Sequence, residues 1–489
     1  MRSILTSLLQ LGGMQLVIAA TALVRNKVLA ARLGTEGFGA YAQLALLAIA
    51  GSVLIAFGLG MSLNRNVAAA KDHDERQRLL ATANGVTILL ALTVVLLAAT
   101  ILAFAPDTLT TVGLSPTPHV LTAAAILLAY LPTQAAAHHR IAFLTGALDI
   151  RGMTAGRSRA LALGTLASLP IVWWFGLVGA ALQFTLLTFL IVLFLDQRLR
   201  TLGYHPWRIH LHRSTLTLLA TYGLASLTAG FAQQSADLLV RGSLIHGHGA
   251  ASNGIYQAAL SITYQVKAIV LGSVGALSLA TLTQDASPDA MRRTAERLLN
   301  VVTPIATLAL AALGLLSGPI LLLLYTPEFL PAQGILPFLL LGEFLLVPIW
   351  VFAAPLLATG RVGPWLGFEL GFTLARTTTA LLLLPHLGAP GIAIGFAAAT
   401  VLQLAALTLY VHRAFGLHPT RTPTRLLVSG FPVVALTAWL GSSAVFDPTH
   451  LLAGLALLAL FTHLAIRQTL GWRDALQHTR TALARKVTA

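Results

Sequence analysis

The sequence predicts an all-α polytopic membrane protein with about fourteen transmembrane helices, arranged as two six-helix lobes in parallel repeat plus two C-terminal helices. Three observations predict this fold class. Hydrophobic residues make up 56% of the 489-residue chain and charged residues only 10%, whereas a soluble chain carries about a quarter charged residues. Lys and Arg concentrate in alternate gaps between long apolar segments. The second half of the chain also repeats motifs of the first.

Most apolar segments are close to the twenty or so residues that a helix needs to cross the hydrocarbon core. The first segment is longer than the apolar part of a signal peptide and lacks a small-residue cleavage site, so we expect an uncleaved helix. Little more than Gly176 joins the fifth and sixth spans. Residues 64–78 and 285–298, the latter with Pro288 near its start, are predicted interfacial amphipathic helices. The predicted spans are 4–24, 39–60, 79–105, 119–137, 160–175, 177–195, 215–240, 254–280, 300–324, 334–357, 362–384, 388–411, 425–444 and 449–467.

The distribution of positive charge predicts the orientation in the membrane. With the N-terminus placed in the cytoplasm, inward-facing segments hold 25 of the 31 Lys and Arg residues. The outward-facing segments hold only Arg25, Lys27, Arg32 and Arg241. The remaining two cations, Lys267 and Arg376, fall inside spans. This bias follows the positive-inside rule and places both termini in the cytoplasm. The net charge of +15 then reflects topology, and no nucleic-acid partner is expected.

The chain repeats itself at an offset of 215 or 216 residues. Val24-Arg25 and the later Gly39-Ala40-Tyr41 correspond to Val240-Arg241 and Gly254-Ile255-Tyr256. Both copies open helices of the same orientation, so the repeat is parallel, as in transporters that bind substrate between two lobes. We therefore expect an N-lobe over 1–200, a C-lobe over 201–415, and two further helices with a cytoplasmic tail over 416–489.

Several function classes lack the residues that they need. The chain has no cysteine, which excludes disulfides and Cys-based metal sites. None of its lysines follows glycine, as a phosphate-binding loop requires. Outward loops carry only scattered single carboxylates, so we expect a transporter without a cofactor rather than an enzyme. The histidine pairs, which show no third metal ligand and are interpreted as loop histidines, are His138-His139, His210-x-His212 and His246-x-His248.

Charged residues inside spans are costly and usually mark a transport pathway. The functional interpretation is a cavity lined by Arg25, Lys27, Arg241, Lys267 and Arg376. Such a cavity favours an anionic head group, for which phosphate is the natural match. Asp237 and Glu369 then carry a coupling ion or hold the cations in place. As alternatives, Arg25, Lys27 and Arg241 snorkel to the outer interface, and Asp237 forms a structural i,i+4 pair with Arg241.

Four ordered motifs resemble those of Wzx-type polysaccharide flippases. They are Arg32–Tyr41 (RLGTEGFGAY), Gly58–Gly60 leading to Asn64–Asn66, Leu324–Phe329 (LYTPEF) and Pro385–Gly391 (PHLGAPG). The resemblance covers nearly the whole chain. The family belongs to the superfamily that also holds MATE multidrug exporters and lipid II flippases.

The resemblance implies a multi-pass protein of the bacterial inner membrane that works by alternating access. Its implied substrate is an oligosaccharide linked to undecaprenyl pyrophosphate, moved from the cytoplasmic to the periplasmic leaflet. Membrane lipids and the polysaccharide polymerase machinery are the implied partners. Lipid II flippases carry essential arginines in the first helix, near the second and in the eighth. Arg25, Arg65 and Lys267 occupy comparable places here, which adds Arg65 to the candidate head-group residues.

Two other functions stay open at this point. A MATE-like exporter of small organic cations would need acidic and aromatic residues in its cavity, and here the cations outnumber the acids. A membrane-embedded enzyme or assembly scaffold would need a constellation of reactive residues in its loops, which the sequence does not show.

Overall fold

The computed structural model describes the backbone of residues 2–282, 287–417, 421–443 and 447–469, with side chains from residue 20 onward except Thr221, 266–282 and Pro288. Within those residues the chain is helical and contains no strand. Two 3-10 helices, Pro106–Val112 and Pro327–Gly334, join longer elements. The α-helices are α1 (Arg2–Ala56), α2 (Leu59–Ala69), α3 (His73–Phe104), α4 (Pro118–Gly146), α5 (Ile150–Thr201), α6 (Arg213–Leu282), α7 (Pro288–Leu315), α8 (Ser317–Leu324), α9 (Leu336–Ala358), α10 (Val362–Leu387), α11 (Ala389–Phe415), α12 (Arg421–Ser443) and α13 (Pro448–Thr469).

The three longest helices each contain one glycine that interrupts the helical backbone. Gly34 in α1, Gly176 in α5 and Gly249 in α6 have φ values of 64°, 55° and 81°. Glycine adopts positive φ without the steric cost that a Cβ imposes. Division at these residues gives one helical segment for each predicted span, with α2 and α8 as additional short helices. The predicted joint at Gly176 is confirmed.

The prediction of a polytopic membrane protein is confirmed. Nine helices in the described ranges are long and apolar enough to cross a membrane, and α6 makes a tenth if its bent N-terminal part is counted with the rest. Many large side chains on these helices are exposed, including Leu92, Leu96 and Phe104 on α3. An apolar face that contacts lipid rather than protein explains this exposure.

The sequence repeat is matched by a repeat in backbone geometry. Gly34 and Gly249, 215 residues apart, break their helices in the same way, with ψ values of −172° and 162°. Five residues after each break the two copies cross at Gly39 and Gly254. A Cβ on Gly39 would overlap the carbonyl oxygen of Ala250, and a Cβ on Gly254 would overlap that of Thr35. The contact is therefore reciprocal, and only glycine permits backbones to approach so closely.

The two predicted interfacial helices are wrong. The stretch 64–78 is divided between the end of α2 and the start of α3, where Asp72 caps the helix by accepting a hydrogen bond from the backbone N–H of Glu75. Of the stretch 285–298, residues 288–298 form the first turns of α7, which continues without a break into the predicted ninth span, and residues 285 and 286 lie outside the described residues. Ser287 caps α7 and Pro288 is its first residue, a position where proline loses no hydrogen bond. In both places a strong N-cap starts a long helix, so no separate helix forms.

The chain divides into two compact units. The first comprises Met1–Ala258, Leu323–Phe329 and Val362–Gly395, and the second comprises Ala259–Leu322, Leu330–Arg361 and Phe396–Ala489. In the first unit α4 and α5 pack against each other and against α1. In the second unit α12 packs on α7, α9 and α13. The predicted division into 1–200, 201–415 and 416–489 stays a prediction.

Candidate functional site

Arg25 lies in the part of α1 that is long and apolar enough to cross a membrane. Its guanidinium Nη1 donates a hydrogen bond to the Oγ1 of Thr165 on α5, at 3.0 Å. The threonine hydroxyl carries no formal charge, and a guanidinium has five N–H donors. Arg25 therefore keeps its positive charge and further donor capacity inside the first unit.

Hydrogen-bonded polar residues extend from Thr165 along α5. The Ser168 hydroxyl donates to the Thr165 carbonyl oxygen at 3.0 Å, and the Gln183 Nε2 donates to the Ser168 Oγ at 2.9 Å. Ser168 and Gln183 are both buried. Ser168 and Gln183 were not among the site residues predicted from the sequence, although Gln183 is the only amide in the predicted span 177–195. Polar side chains in a membrane helix usually face protein, and that rule would have selected Gln183.

Asn26 and Lys27, which follow Arg25 on α1, both donate hydrogen bonds to Tyr325. Lys27 donates from Nζ to the backbone carbonyl oxygen of Tyr325 at 2.6 Å, and the Asn26 Nδ2 donates to the Tyr325 hydroxyl at 2.9 Å. The Tyr325 and Phe329 rings also lie edge-on to Phe38, with centroids 5.8 and 5.5 Å away. Lys27 therefore positions the segment Leu323–Phe329 against α1.

Arg241 of α6 is 6% exposed. Its Nη2 donates to the Oε1 of Gln257, and its guanidinium lies 5.6 Å from the ring centroid of Tyr256. Its Nε is buried and has no hydrogen-bond partner among the described residues. Both of these partners are neutral, so Arg241 is a buried cation without a direct ion pair among the described residues, and Asp237 acts on it only as a nearby negative charge. The snorkelling alternative does not fit this burial, since a snorkelling side chain reaches water.

Asp237 pairs with a different arginine from the one that helix spacing favours. The Arg376 Nη2 on α10 donates to the Asp237 Oδ1 at 2.8 Å, and both side chains are partly exposed. The predicted i,i+4 pair with Arg241 is therefore corrected, because the Arg241 guanidinium is turned towards Gln257 instead. Glu369 lies two turns before Arg376 on α10 and is half-buried.

Two candidates remain. Arg65 is exposed on α2, with its guanidinium 4.5 Å from the ring centroid of Tyr222. The side chain of Lys267 lies outside the described residues. The candidates that belong to the first unit are Arg25, Lys27, Arg65, Arg241, Arg376, Asp237 and Glu369.

Arg140 is a further arginine that the sequence placed in an inward-facing loop. It lies inside α4 and is 1% exposed, because α4 continues past the predicted end at residue 137. Its Nε donates to the Asp196 Oδ1 at 2.9 Å and its Nη1 to the Asn84 Oδ1 at 3.0 Å. Its Nη2 donates to the Pro206 carbonyl oxygen at 3.0 Å, and the Trp207 ring centroid lies 4.6 Å away. This arginine is fully bonded and charge-neutralised.

The histidine pairs do not form a metal centre in the part of the chain that the structure describes, where no group of three or more metal-ligating side chains occurs. His139 is buried in α4 with its Nδ1 3.0 Å from the Thr87 hydroxyl, so its interpretation as a loop histidine is wrong. His248 lies with its Nε2 3.0 Å from the Leu384 carbonyl oxygen.

Solved structures resemble this fold over most of the chain, whereas no family model and no curated protein matches the sequence. The lipid II flippase MurJ, in an inward closed conformation, is similar with a TM-score of 0.71 at 12% identity, over 93% of this chain and 98% of that chain. An inward-facing MATE-family multidrug resistance transporter of the MOP superfamily is similar with a TM-score of 0.67 at 17% identity, over 81% and 94%.

A third similar structure is a MOP-superfamily transporter from Pyrococcus furiosus, described as having a binding pocket of reverse polarity that suggests a different function. Its TM-score is 0.63 at 17% identity, over 84% of this chain and 95% of that chain. These likenesses show that the chain has the fold of MOP-superfamily transporters. The predicted superfamily and the narrower Wzx-type family both stay predictions.

Proposed function

We propose that this protein is a flippase for oligosaccharides linked to undecaprenyl pyrophosphate. It moves them from the cytoplasmic to the periplasmic leaflet of the bacterial inner membrane by alternating access, driven by an ion gradient. The observation that carries the proposal is an excess of cations among the charged residues of the membrane-spanning helices. Arg25 and Arg241 are held there by neutral partners.

The physical argument rests on the cost of moving a pyrophosphate through lipid. A buried anion is tolerated only where opposite charge and hydrogen bonds replace its hydration. Arginine offers a planar fork of donors that matches phosphate oxygens. Arg25 and Arg241 have donors to spare because their present partners are a hydroxyl, an amide and a ring. We assign these two residues to head-group binding.

The other candidates take supporting roles in this proposal. Lys27 is bound to a backbone carbonyl and is assigned to positioning as well as to charge. Asp237 and Arg376 form an ion pair. Protonation of Asp237 would break this pair and free Arg376 to bind the substrate. Asp237, together with Glu369, is therefore the candidate for binding the coupling ion. Arg65 and Lys267 are proposed by position along the chain. Membrane lipids and the polysaccharide polymerase machinery are the proposed partners, and no cofactor is required.

The second candidate function is an exporter of small organic cations. It is favoured by the likeness to a MATE-family multidrug resistance transporter. Asp237 and Glu369 would then be the cation-binding residues. The ion pair that occupies Asp237 and the surplus of arginine count against this function.

The deciding experiment deletes the gene and profiles undecaprenyl-linked lipids by mass spectrometry. We expect one lipid-linked oligosaccharide to accumulate, which would also identify the cargo. An unchanged lipid profile together with new sensitivity to cationic dyes, and dye efflux restored by the intact gene, would replace the flippase with the exporter.

The site is tested by complementing that deletion with Arg25→Gln. Loss of a charge-assisted bond to the substrate is expected to lower flipping by about tenfold or more. Arg32→Gln is the matched control, since Arg32 lies two turns further along α1, is exposed, and donates to the Trp173 carbonyl oxygen at 2.7 Å. Equal flipping by both variants, at equal protein levels in the membrane, would remove Arg25 from the site.

A further inference from the structure

The segment between α5 and α6 has no regular secondary structure, but hydrogen bonds from buried side chains hold its backbone in place. The Gln77 side chain on α3 exchanges two hydrogen bonds with the His205 backbone, at 2.8 and 3.2 Å. The Asn84 Nδ2 donates to the carbonyl oxygens of Pro206 and Arg208, at 2.8 and 3.2 Å. Arg140 donates from Nη2 to the same Pro206 carbonyl oxygen, at 3.0 Å. Buried side chains therefore fix the backbone of a surface segment, which presents its own side chains in defined places.

Residues 207–212, WRIHLH, alternate between apolar and basic or histidine side chains. Trp207, Ile209 and Leu211 are exposed by 53%, 54% and 52% of their surface. Ile209 and Leu211 lie against Gly85 of α3, within 3.5 Å of where its Cβ would be. Three large apolar side chains exposed together beside a membrane helix are typical of a membrane interface, where tryptophan is also enriched.

The intervening side chains line a pocket of about 520 Å³ with the first turns of α3. We call it the basic pocket, and its charged or polar lining consists of Asp74, Gln77, Arg78, Arg208, His210 and His212. Two arginines and two histidines face one carboxylate. The imidazole rings of His210 and His212 have centroids 4.1 Å apart. The pocket therefore concentrates positive charge beside the apolar side chains of the same segment.

The pKa of His212 reflects its surroundings in the pocket. Its pKa lies below the ordinary histidine value, first because of desolvation and then because of the positive charges of His210 and Arg78. A bound anion would reverse the charge contribution and favour the protonated imidazole.

We propose that the basic pocket binds the anionic head group of a phospholipid from the surrounding membrane, with the acyl chains lying along Trp207, Ile209 and Leu211. Arg78 and Arg208 supply the main attraction to the phosphate. The bilayer is the source because the pocket opens beside exposed apolar side chains, on the segment that joins two membrane helices. Both arginines lie on the side that the charge pattern predicts to be cytoplasmic, where anionic lipid is attracted to basic residues.

This site is independent of the cargo, since it uses none of the residues assigned to transport. Its test is native mass spectrometry of the full-length protein in detergent, titrated with dioleoylphosphatidylglycerol. The double variant Arg78→Gln/Arg208→Gln is expected to weaken retention of this lipid by roughly thirtyfold, from about 1 kcal/mol per arginine. Both side chains are exposed, so the fold is expected to survive, and thermal unfolding checks it.

Arg292→Gln is the matched control, because Arg292 is an exposed arginine on α7 that pairs with its helical neighbour Asp289, at 3.3 Å. We expect this control to retain lipid like the wild type. Dioleoylphosphatidylcholine, which has no net charge, is expected to bind weakly, and 10 mM or so of inorganic phosphate is expected not to displace phosphatidylglycerol. Equal retention by the double variant, equal binding of phosphatidylcholine, or displacement by inorganic phosphate would each overturn the proposal.

Discussion

Arg140 and Arg241 belong to the same unit and are almost equally buried, at 1% and 6% exposure, but their surroundings differ. Arg140 contacts a carboxylate, an amide oxygen, a backbone carbonyl and an indole ring. Arg241 contacts an amide oxygen and a phenol ring, and its Nε has no partner in the described part of the chain.

Under the proposed function, the difference separates a structural arginine, Arg140, from an arginine assigned to the substrate, Arg241. A buried cation with a complete set of partners is costly to remove, because its carboxylate would be left uncompensated. A buried cation with only neutral partners is costly to keep, and such residues in membrane proteins usually serve a pathway or a ligand. Arg25, bonded to a threonine hydroxyl, belongs with Arg241 in this comparison.

Arg140→Ala is expected to lower the free energy of unfolding more than any other variant considered. The substitution leaves the Asp196 carboxylate buried without its cation and should lower the free energy of unfolding by about 3–5 kcal/mol. Thermal unfolding of the purified protein in detergent measures the loss. Arg198→Ala is the control, because the Arg198–Asp149 pair, at 2.6 Å, is 39% and 16% exposed and should contribute at most about 1 kcal/mol. Equal losses in both variants would contradict the structural role of Arg140.

An intermediate effect is expected for the Asp237–Arg376 pair. A double-mutant cycle with Asp237→Asn and Arg376→Gln should give a coupling free energy of about 1 kcal/mol, since both side chains are partly exposed. The same cycle between Asp237 and Arg241 should give a smaller value. A larger coupling in the second cycle would restore the i,i+4 pair and reject the pairing with α10.

The smallest effect on stability is expected for Arg241→Met. The apolar side chain removes a buried charge that has no carboxylate partner, so the free energy of unfolding should stay within about 1 kcal/mol of the wild type or rise. Transport should nevertheless fall, as measured by complementation of the deletion strain. If Arg241→Met destabilises the protein as much as Arg140→Ala does, Arg241 has a structural role and the proposed difference between the two arginines is wrong.

Hydropathy and charge together predicted most of the fold. The length of a membrane-crossing helix is set by bilayer thickness, so spans can be read from local sequence, and Gly176 was recognised as a joint because two apolar runs meet there. The repeat was visible because both copies carry the same glycine and tyrosine spacing, and the crossing of Gly39 and Gly254 agrees with it. The two interfacial helices failed because caps at Asp72 and Ser287 start longer helices.

The candidate site was predicted by residue type but not by partner. Arg376 was identified because charge within an apolar span is rare. Arg25, Lys27 and Arg241 were identified because they lie at or just beyond span ends on the side that carries few cations. Their partners Thr165, Tyr325, Gln257 and Asp237 lie 140, 298, 16 and 139 positions away along the chain. Helical spacing reaches only three or four residues, so the correct partner of Asp237 was not visible from the sequence. Arg140 was misplaced because α4 continues past the predicted end of its span at residue 137.

The sequence by itself determined that this is a polytopic helical membrane protein, that two of its spans meet at Gly176, and which charges depart from the positive-inside pattern. Bilayer thickness, glycine conformation and the cost of buried charge are local properties, and composition reports them. Only the tertiary structure decided which of those charges are neutralised and which keep donors for a ligand. That depends on side chains brought together from distant helices, as Arg140 with Asp196 and Arg241 with Gln257 illustrate.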